Sequence, residues 1–210
     1  MTFTKLSKQY NRQVPKQWLK ANTGINMIVT QFLPFKQFPD YGTWLKSQDA
    51  ETRQLYFGMA ATDYVVDSLV SRIIADPSDH YILVALKKDQ WVGTIHIAVN
   101  GSSVEFGIIV DQQYRGQGIG NQLIEEAILW ARNRGYQELF MHCITSNTTI
   151  RHLCNKHGLR SRNMLGETEV NMPLDLPNWV TISKEVVARQ RSFFHLYLQN
   201  TTKFYEEIYG

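Results

Sequence analysis

"DQQYRGQGIGNQL", residues 111–123, carries three glycines within five positions, at 116, 118 and 120. The apolar run "SSVEFGIIVD" comes just before it, and apolar residues at helical spacing follow it. Bare backbone amides between a strand and a helix can hold a nucleotide phosphate or another anion, and glycines there can also serve only a tight turn. The stretch by itself leaves all three interpretations open.

Two common nucleotide-binding loops do not match this stretch. A dinucleotide loop would need a third glycine where Asn121 stands and an acid at the end of the next strand, which "ELFMHCIT" lacks. A P-loop would need lysine and then serine or threonine after its last glycine, and Asn121 follows Gly120 instead. What remains is a loop that presents amides at a helix N-terminus, with the positive charge of Arg115 beside it.

Upstream of the loop, the hydrophobic pattern predicts a strand, a helical region and three more strands. The first strand is "INMIVTQFL" (25–33), and helical spacing covers "TWLKSQDAETRQLYFG" (43–58) and "TDYVVDSLVSRIIAD" (62–76). A hairpin follows in "HYILVALKKDQWVGTIHIAV" (80–99), turning at "KKDQ", and the strand "SSVEFGIIVD" (102–111) leads into the loop.

Downstream, the pattern predicts a helix from Gly118, the strand "ELFMHCIT" (138–145) and a helix capped by Ser146 or Asn147. A strand, helix and strand in that order form a right-handed crossover, so the strands on either side of the loop should run parallel. A last strand is predicted in "ETEVNMPL" (167–174), and the tail from residue 183 is predicted to be a long aromatic-rich helix.

Composition indicates one globular domain in a reducing, cytoplasmic setting. The chain has 210 residues, 43% hydrophobic and 20% charged, with two cysteines and no apolar run long enough to span a membrane. Residues 1–24 form a basic leader, which could favour nucleic acid or an acidic partner and is interpreted as a solvated end. Because no aromatic-rich basic patch is evident, nucleic acid is not expected as a partner, and because no apolar run reaches membrane length, neither is a membrane. No metal site is expected.

The segment from "VEFGIIVD" to "NKHGL" resembles the core of the GNAT superfamily of acetyl-CoA-dependent N-acetyltransferases. The family loop, [Q/R]-x-x-G-x-[G/A], is satisfied from Gln113 and again from Arg115. The second family motif matches at Asn147, Ile150, Leu153, Lys156, Gly158 and Leu159. The resemblance implies an α/β (α+β) fold with a mixed, mostly antiparallel sheet and a splayed parallel strand pair flanked by helices. That domain would span residues 25–175, and residues 176–210 would form a helical extension packed on it or at a homodimer seam.

The resemblance also implies where coenzyme A binds. Loop amides would hold its pyrophosphate, the exposed backbone of the splayed strand would pair with the pantetheine arm, and Asn147 would contact the thiol end. The implied contact residues are Ile108, Ile109, Val110, Arg115, Gly116, Gln117, Gly118, Ile119, Gly120, Asn121 and Asn147. Acetyl-CoA is therefore the expected co-substrate.

Three residues are candidates for the chemistry. The pKa of a lysine-like amine lies roughly 3.4 units above pH 7, so a general base is expected. Glu105 is the first candidate; the alternative is that its side chain only faces solvent at a strand edge. His142 is the second candidate for the base, and the alternative is that this histidine has only a structural role. The family's proton donor to the leaving thiolate is usually a tyrosine, and Cys154 stands there, either as a substitute acid or as a core residue.

Two functions follow from these residues. The first is transfer of an acetyl group to a primary amine, which could belong to a protein lysine, a protein N-terminus or a small molecule. The alternative, favoured by the missing tyrosine, is a catalytically weak module of the same fold that binds acyl-CoA and serves regulation or interaction.

Overall fold

The computed structural model describes residues 27–164 and 167–209. The predicted basic leader, residues 1–24, lies outside the described residues, as does the start of the predicted first strand. The predicted first strand can therefore be compared with the structure only from residue 27 onward, and the predicted C-terminal helix only up to residue 209.

The described strands form a single seven-stranded sheet in the order β1-β2-β3-β4-β5-β7-β6. The strands are β1 Val29–Phe32, β2 His80–Lys87, β3 Gln90–Asn100, β4 Ser103–Val110, β5 Glu138–Ile144, β6 Arg160–Met164 and β7 Glu167–Pro173. Every neighbouring pair is antiparallel except β4 and β5, which are parallel. The predicted fold class is confirmed. The edge strand β6 was not predicted, because its sequence, RSRNM, has no apolar alternation.

The parallel pair β4 and β5 stays together only at its beginning. Backbone pairing joins Ser103–Glu105 to residues 138–140, and no pairing of the remaining residues of β4 to β5 is present in the described chain. On its other side β4 is paired with β3 along its whole length, up to Val110. The strands therefore open like a V, and the backbone from Gly107 to Val110 is left with one unpaired edge.

Six described α-helices cover the two faces of the sheet. They are α1 Phe38–Lys46, α2 Ala50–Phe57, α3 Asp63–Ala75, α4 Ile119–Asn133, α5 Thr148–Lys156 and α6 Trp179–Tyr209. One core joins α4 and α5 to the face of β4 that carries Phe106 and Ile108. The other joins α1 and α3 to the opposite face of the sheet, which carries Ile82 of β2 and Ile109 of β4. Alternate residues of β4 thus serve different cores.

The C-terminal helix α6 packs along α4 and β1 through its inner face. Glu185 accepts hydrogen bonds from Asn133 Nδ2 at 2.7 Å and Arg134 Nη1 at 3.0 Å, and Thr181 is buried. Its outer face exposes large apolar side chains, among them Trp179 and Phe193. Packing on the domain is therefore observed. In the described part of the chain, no helix is both long and apolar enough to cross a membrane.

Candidate active-site groove

A groove of about 300 Å³ opens where β4 and β5 diverge. Its floor is the unpaired part of β4, its far end is the glycine loop, and its walls come from α2 and α5. The lining residues are Thr52, Leu55, Tyr56, Ile108, Ile109, Val110, Tyr114, Arg115, Gly116, Gly118, Ile119, Gly120, Asn121, Asn147, Thr149, Ile150, His152, Leu153 and Lys156. Except for Gln117, every residue predicted to bind coenzyme A lines this groove.

The three loop glycines serve two different purposes. Gly116 and Gly118 have φ of +74° and +81°, in the left-handed region that side chains with a β-carbon rarely adopt, and a β-carbon at either would meet open space. Gly120 lies inside α4, where a β-carbon would come within 3.1 Å of Leu153 Cδ2. The first two glycines therefore shape the turn, and the third lets α4 and α5 approach each other.

The loop presents unpaired amides at the N-terminus of α4. Gly118 is the N-cap, and the first backbone amide to bond back to it is that of Gln122, at 3.0 Å. Within the described residues, no hydrogen bond leaves the amides of residues 116–121. The side chain of Asn121 is already engaged, since its Oδ1 lies 3.0 Å from His157 Nε2. These free N–H groups and the helix dipole together favour an anion.

The guanidinium of Arg115 ties this loop to helix α2. Its Nη2 donates to Thr52 Oγ1 at 2.6 Å and its Nε donates to the Val110 carbonyl at 3.3 Å. Thr52 Oγ1 in turn donates to Asp49, the N-cap of α2. The hydrogen bonds that the hydroxyl and the backbone amide of Thr52 donate to Asp49 hold the pKa of this carboxyl below its usual value. Arg115 therefore brings positive charge to the groove and positions α2 against the loop.

Helix α5 contributes one capping residue and a polar stripe. Asn147 is buried, and its Oδ1 accepts from the Ile150 amide at 3.1 Å, so it caps α5 while also lining the groove. Of the two caps that the sequence predicted, Ser146 and Asn147, the structure has Asn147. Thr149, His152 and Lys156 also line the groove and were not predicted. Their spacing of three and four residues along α5 was the signal available in the sequence.

The two candidate bases lie on the same face of the sheet. Glu105 is paired in register with Phe140, and His142 follows two residues along β5. Strand residues two apart point to the same face, so Glu105 and His142 share the face that α2 covers. Both side chains are exposed. In β7, Glu169 stands opposite His142, which makes this face of the opening rich in acidic groups.

Cys154 lies away from the groove. It is fully buried in the core beneath α5, and its Sγ lies 3.5 Å from Met141 Sδ. Burial raises the pKa of this thiol to about 12. Of the two interpretations of Cys154, its burial and its contact with Met141 favour the core cysteine over the substitute acid.

A tyrosine of α2 occupies the groove instead, and sequence reasoning missed it. Tyr56 lies against Gly107, where a β-carbon would come within 2.8 Å of its Oη. Its hydroxyl lies 2.9 Å from that of Tyr41, which is fully buried. No local motif marks Tyr56, since it comes from an element far from the glycine loop in the chain.

Comparison with known proteins gives one family match and several structural neighbours. The family model described as "Acetyltransferase (GNAT) family" matches residues 36–159. No curated protein matches the chain. Within the described residues, no cluster of three or more histidine, cysteine or acidic side chains could hold a metal ion.

Several solved structures share the fold at low sequence identity. The GNAT domain of S. lividans PAT is 14% identical, with a TM-score of 0.60 over 69% of this chain and 89% of that one. Spermidine N-acetyltransferase from Vibrio cholerae, solved in complex with CoA and spermine, is 14% identical, with a TM-score of 0.58 over 70% of this chain and 95% of that one. The ribosomal-protein-S18-alanine N-acetyltransferase from Escherichia coli is 15% identical, with a TM-score of 0.55 over 73% and 97%.

Proposed function

The chain belongs to the GNAT acetyltransferase family, and from that premise we propose that it transfers an acetyl group from acetyl-CoA to a primary amine. The observation that carries this proposal is the groove between the splayed strands β4 and β5, which ends at free amides of a helix N-terminus. It offers an anion site at one end and an unpaired strand edge along its floor, as a pyrophosphate with a peptide-like arm requires.

Coenzyme A is assigned to the groove by its two chemically different parts. The amides of residues 116–121 bind the pyrophosphate, with support from the α4 dipole and the Arg115 guanidinium. The amide groups of pantetheine pair with the free edge of Ile108–Val110 as an added strand would. Asn147 contacts the pantetheine near its thiol end with the part of its side-chain amide that the cap leaves free.

Deprotonation of the acceptor amine is assigned to Glu105. At pH 7 only about one lysine-like amine in a few thousand is neutral, so a nearby carboxylate accelerates the attack. Glu105 lies at the last paired position before β4 and β5 diverge, and it is exposed to an incoming amine. His142, on the same face, is the second candidate. The neutral amine then attacks the thioester carbon, and the free β4 amides stabilise the developing oxyanion.

The acceptor is a primary amine of one of three kinds: a protein lysine, a protein N-terminus or a small molecule. The acidic groups at the opening, Glu105 and Glu169, favour a substrate with positive charge. Polyamines belong in the first panel of acceptors because one fold relative was solved with spermine.

The alternative function is an acyl-CoA-binding module with little turnover. The observation in its favour is the burial of Cys154 at the position where the family resemblance implies a tyrosine. The two functions differ in a single outcome, because both require CoA binding and only the transferase releases thiol in proportion to added amine.

The first experiment combines thiol release from acetyl-CoA with calorimetric titration of CoA. Amines, polyamines and lysine peptides are tested as acceptors of the wild-type chain. Amine-dependent release establishes the transferase, and tight binding without release on any acceptor establishes the binding module. Absence of CoA binding contradicts both assignments of the groove.

Glu105→Gln tests the assignment of the base. The substitution keeps the size of the side chain and removes its basicity, so we expect kcat/KM to fall by about 100-fold or more while CoA affinity is unchanged. Asp67→Asn, which alters an exposed carboxylate of α3, is the control and should leave both unchanged. Full activity of Glu105→Gln would transfer the role to His142, to be tested as His142→Gln.

A further inference from the structure

We propose that Tyr56 donates a hydrogen bond to the sulfur of coenzyme A as the thiolate departs, in the role that the buried Cys154 cannot fill. This inference rests on the proposed function, because it requires the pantetheine arm to bind along Ile108–Val110. The thioester then lies at the end of that arm, near Gly107. It assigns a catalytic residue on α2, outside both sequence motifs of the family resemblance.

The position of Tyr56 carries the proposal. Its hydroxyl packs on Gly107, the residue before the unpaired edge of β4, and it lines the groove. A β-carbon at Gly107 would come within 2.8 Å of Tyr56 Oη, so the hydroxyl keeps this position only beside a glycine. The hydroxyl thus lies at the point where β4 and β5 diverge, between the pantetheine floor and the carboxylate of Glu105.

The orientation of the hydroxyl follows from its neighbour. Tyr41 Oη lies 2.9 Å away and is fully buried. If Tyr41 donates to Tyr56, the proton of the buried hydroxyl is used, and the proton of Tyr56 remains free to point into the groove. Tyr41 is therefore a positioning residue for Tyr56.

The position of α2 is set by the loop that binds the anion. Arg115 joins the loop to Thr52 at 2.6 Å, and Thr52 lies one helical turn before Tyr56. Asp49 caps the same helix by accepting from the Thr52 amide at 2.9 Å. The hydroxyl of Tyr56 and the amides of residues 116–121 are therefore held in one frame, at the two ends of the groove.

The protonation state suits a hydrogen-bond donor. Burial raises the pKa of Tyr56 to about 12, and the negative charge of Glu105 acts in the same direction. The phenol therefore stays protonated across the working pH range and does not compete with Glu105 for the amine proton. A thiolate, whose conjugate acid has a pKa of about 8.5, accepts the hydrogen bond without taking the proton.

The bonds and charges of the step balance. The nitrogen–carbon bond forms, the carbon–sulfur bond breaks, and its electron pair goes to sulfur. Glu105, having passed the first proton of the ammonium form to solvent, takes the second proton that the nitrogen loses after attack, and Tyr56 shares its proton with the thiolate through the hydrogen bond. After release, the thiolate takes a proton from solvent and Glu105 returns its proton to solvent.

The test measures the thiol pKa of bound CoA, by following thiolate absorbance while pH is raised in the CoA complex. With Tyr56→Phe we expect this pKa to rise by about one unit, equivalent to about tenfold in the ionisation constant, since a hydrogen bond to a charged group is lost. We expect kcat to fall by about tenfold while the KM for acetyl-CoA holds. Tyr64→Phe, an exposed tyrosine of α3, is the matched control.

Gly107→Ala is a second variant, because its β-carbon would displace the hydroxyl while Tyr56 remains in place. It should reproduce the shift in thiol pKa. An unchanged thiol pKa in both variants overturns the proposal, whatever the activity. If the wild-type chain acetylates no amine but Tyr56→Phe still raises the thiol pKa of bound CoA, the contact of Tyr56 with sulfur is upheld. Only the transferase assignment is then overturned.

Discussion

At the scale of single residues, the glycine loop shows that neighbouring glycines can serve different purposes. Gly116 and Gly118 supply positive φ, and Gly120 supplies room for Leu153. The turn therefore also shapes the candidate anion site, because Gly116 and Gly118 both line the groove. The distinction matters for mutagenesis, since the same substitution fails for a different reason at each position.

Gly118→Ala is the residue-scale prediction. An alanine at φ of +81° is strained by about 1 kcal/mol or more, and relief of that strain would turn the loop amides away from the anion site. We expect CoA affinity to fall about tenfold or more, as for the loss of one hydrogen bond to a charged group, with the fold retained. Calorimetric titration of CoA and thermal unfolding measure the two effects.

Gly101→Ala is the matched control for the loop. Gly101 has φ of +59°, and a β-carbon there would also meet open space, but it lies in the turn between β3 and β4, outside the groove. Both variants should lose comparable stability, and only Gly118→Ala should lose CoA affinity. Equal CoA affinity in the two variants would contradict the assignment of the loop.

At the scale of elements, one carboxylate of α6 accepts three hydrogen bonds, two of which come from the C-terminal end of α4. Glu185 accepts from Asn133, Arg134 and, within its own helix, from Arg189 at 2.8 Å. Burial alone would raise the pKa of Glu185, but the hydrogen bonds from Asn133 and Arg134 outweigh it and the pKa lies below its usual value. The contact therefore fixes the register of α6 on α4.

Glu185→Ala is the prediction at this scale. It would leave Asn133 and Arg134 without their shared acceptor, so we expect the free energy of unfolding to drop by about 2 kcal/mol. Urea denaturation measures the change. Lys184→Ala, which removes an exposed neighbour on the same helix, should change the stability by no more than about 0.5 kcal/mol. Equal losses in both variants would mean that the Glu185 contact does not anchor the helix.

At the scale of the whole molecule, the stability of the fold should depend on pH through a buried histidine. His96 lies in β3, its Nε2 is 3.1 Å from His80 Nδ1, and its ring centroid is 6.3 Å from that of Tyr41. Burial lowers the pKa of His96 to about 3, with a further contribution from His80. Burial also lowers the pKa of His80, against Asp76 and Asp79, which act to raise it.

The sign of the effect follows from the proton balance. The unfolded chain binds a proton on this histidine below pH 6.5, and the folded chain does so only near pH 3, so stability is full above pH 6.5 and is lost as pH falls through that window. For His96 alone we expect a loss of about 1 kcal/mol between pH 6 and pH 5. Urea denaturation at a series of pH values measures it. His96→Gln should flatten the dependence, and an unchanged slope would contradict this account.

The outer face of α6 exposes large apolar side chains on the surface of the molecule. Sequence analysis left two positions for this helix, on the domain or at a homodimer seam, and the inner face packs on the domain. The outer face keeps Trp179, Val187 and Phe193 exposed in the single chain.

Most of the fold was predictable because local patterns encode it. Apolar runs bounded by turn residues identified β2 to β5, helical spacing identified α3 and α4, and the parallel run of β4 and β5 followed from the crossover between them. The groove residues of the glycine loop were predictable for the same reason, since positive φ and a helix N-terminus are properties of consecutive residues. The polar edge strand β6 was not, because only its pairing with β7 makes it a strand.

The sequence by itself determined the glycine turn, the strand that precedes it and the family to which they belong. Tertiary structure alone decided which side chains reach the groove: it buried Cys154, and it brought Tyr56 onto Gly107 from an element far along the chain. The physical reason is that backbone conformation follows from neighbouring residues. A contact between distant side chains depends on how helices pack against the sheet, and no short stretch of sequence encodes that packing.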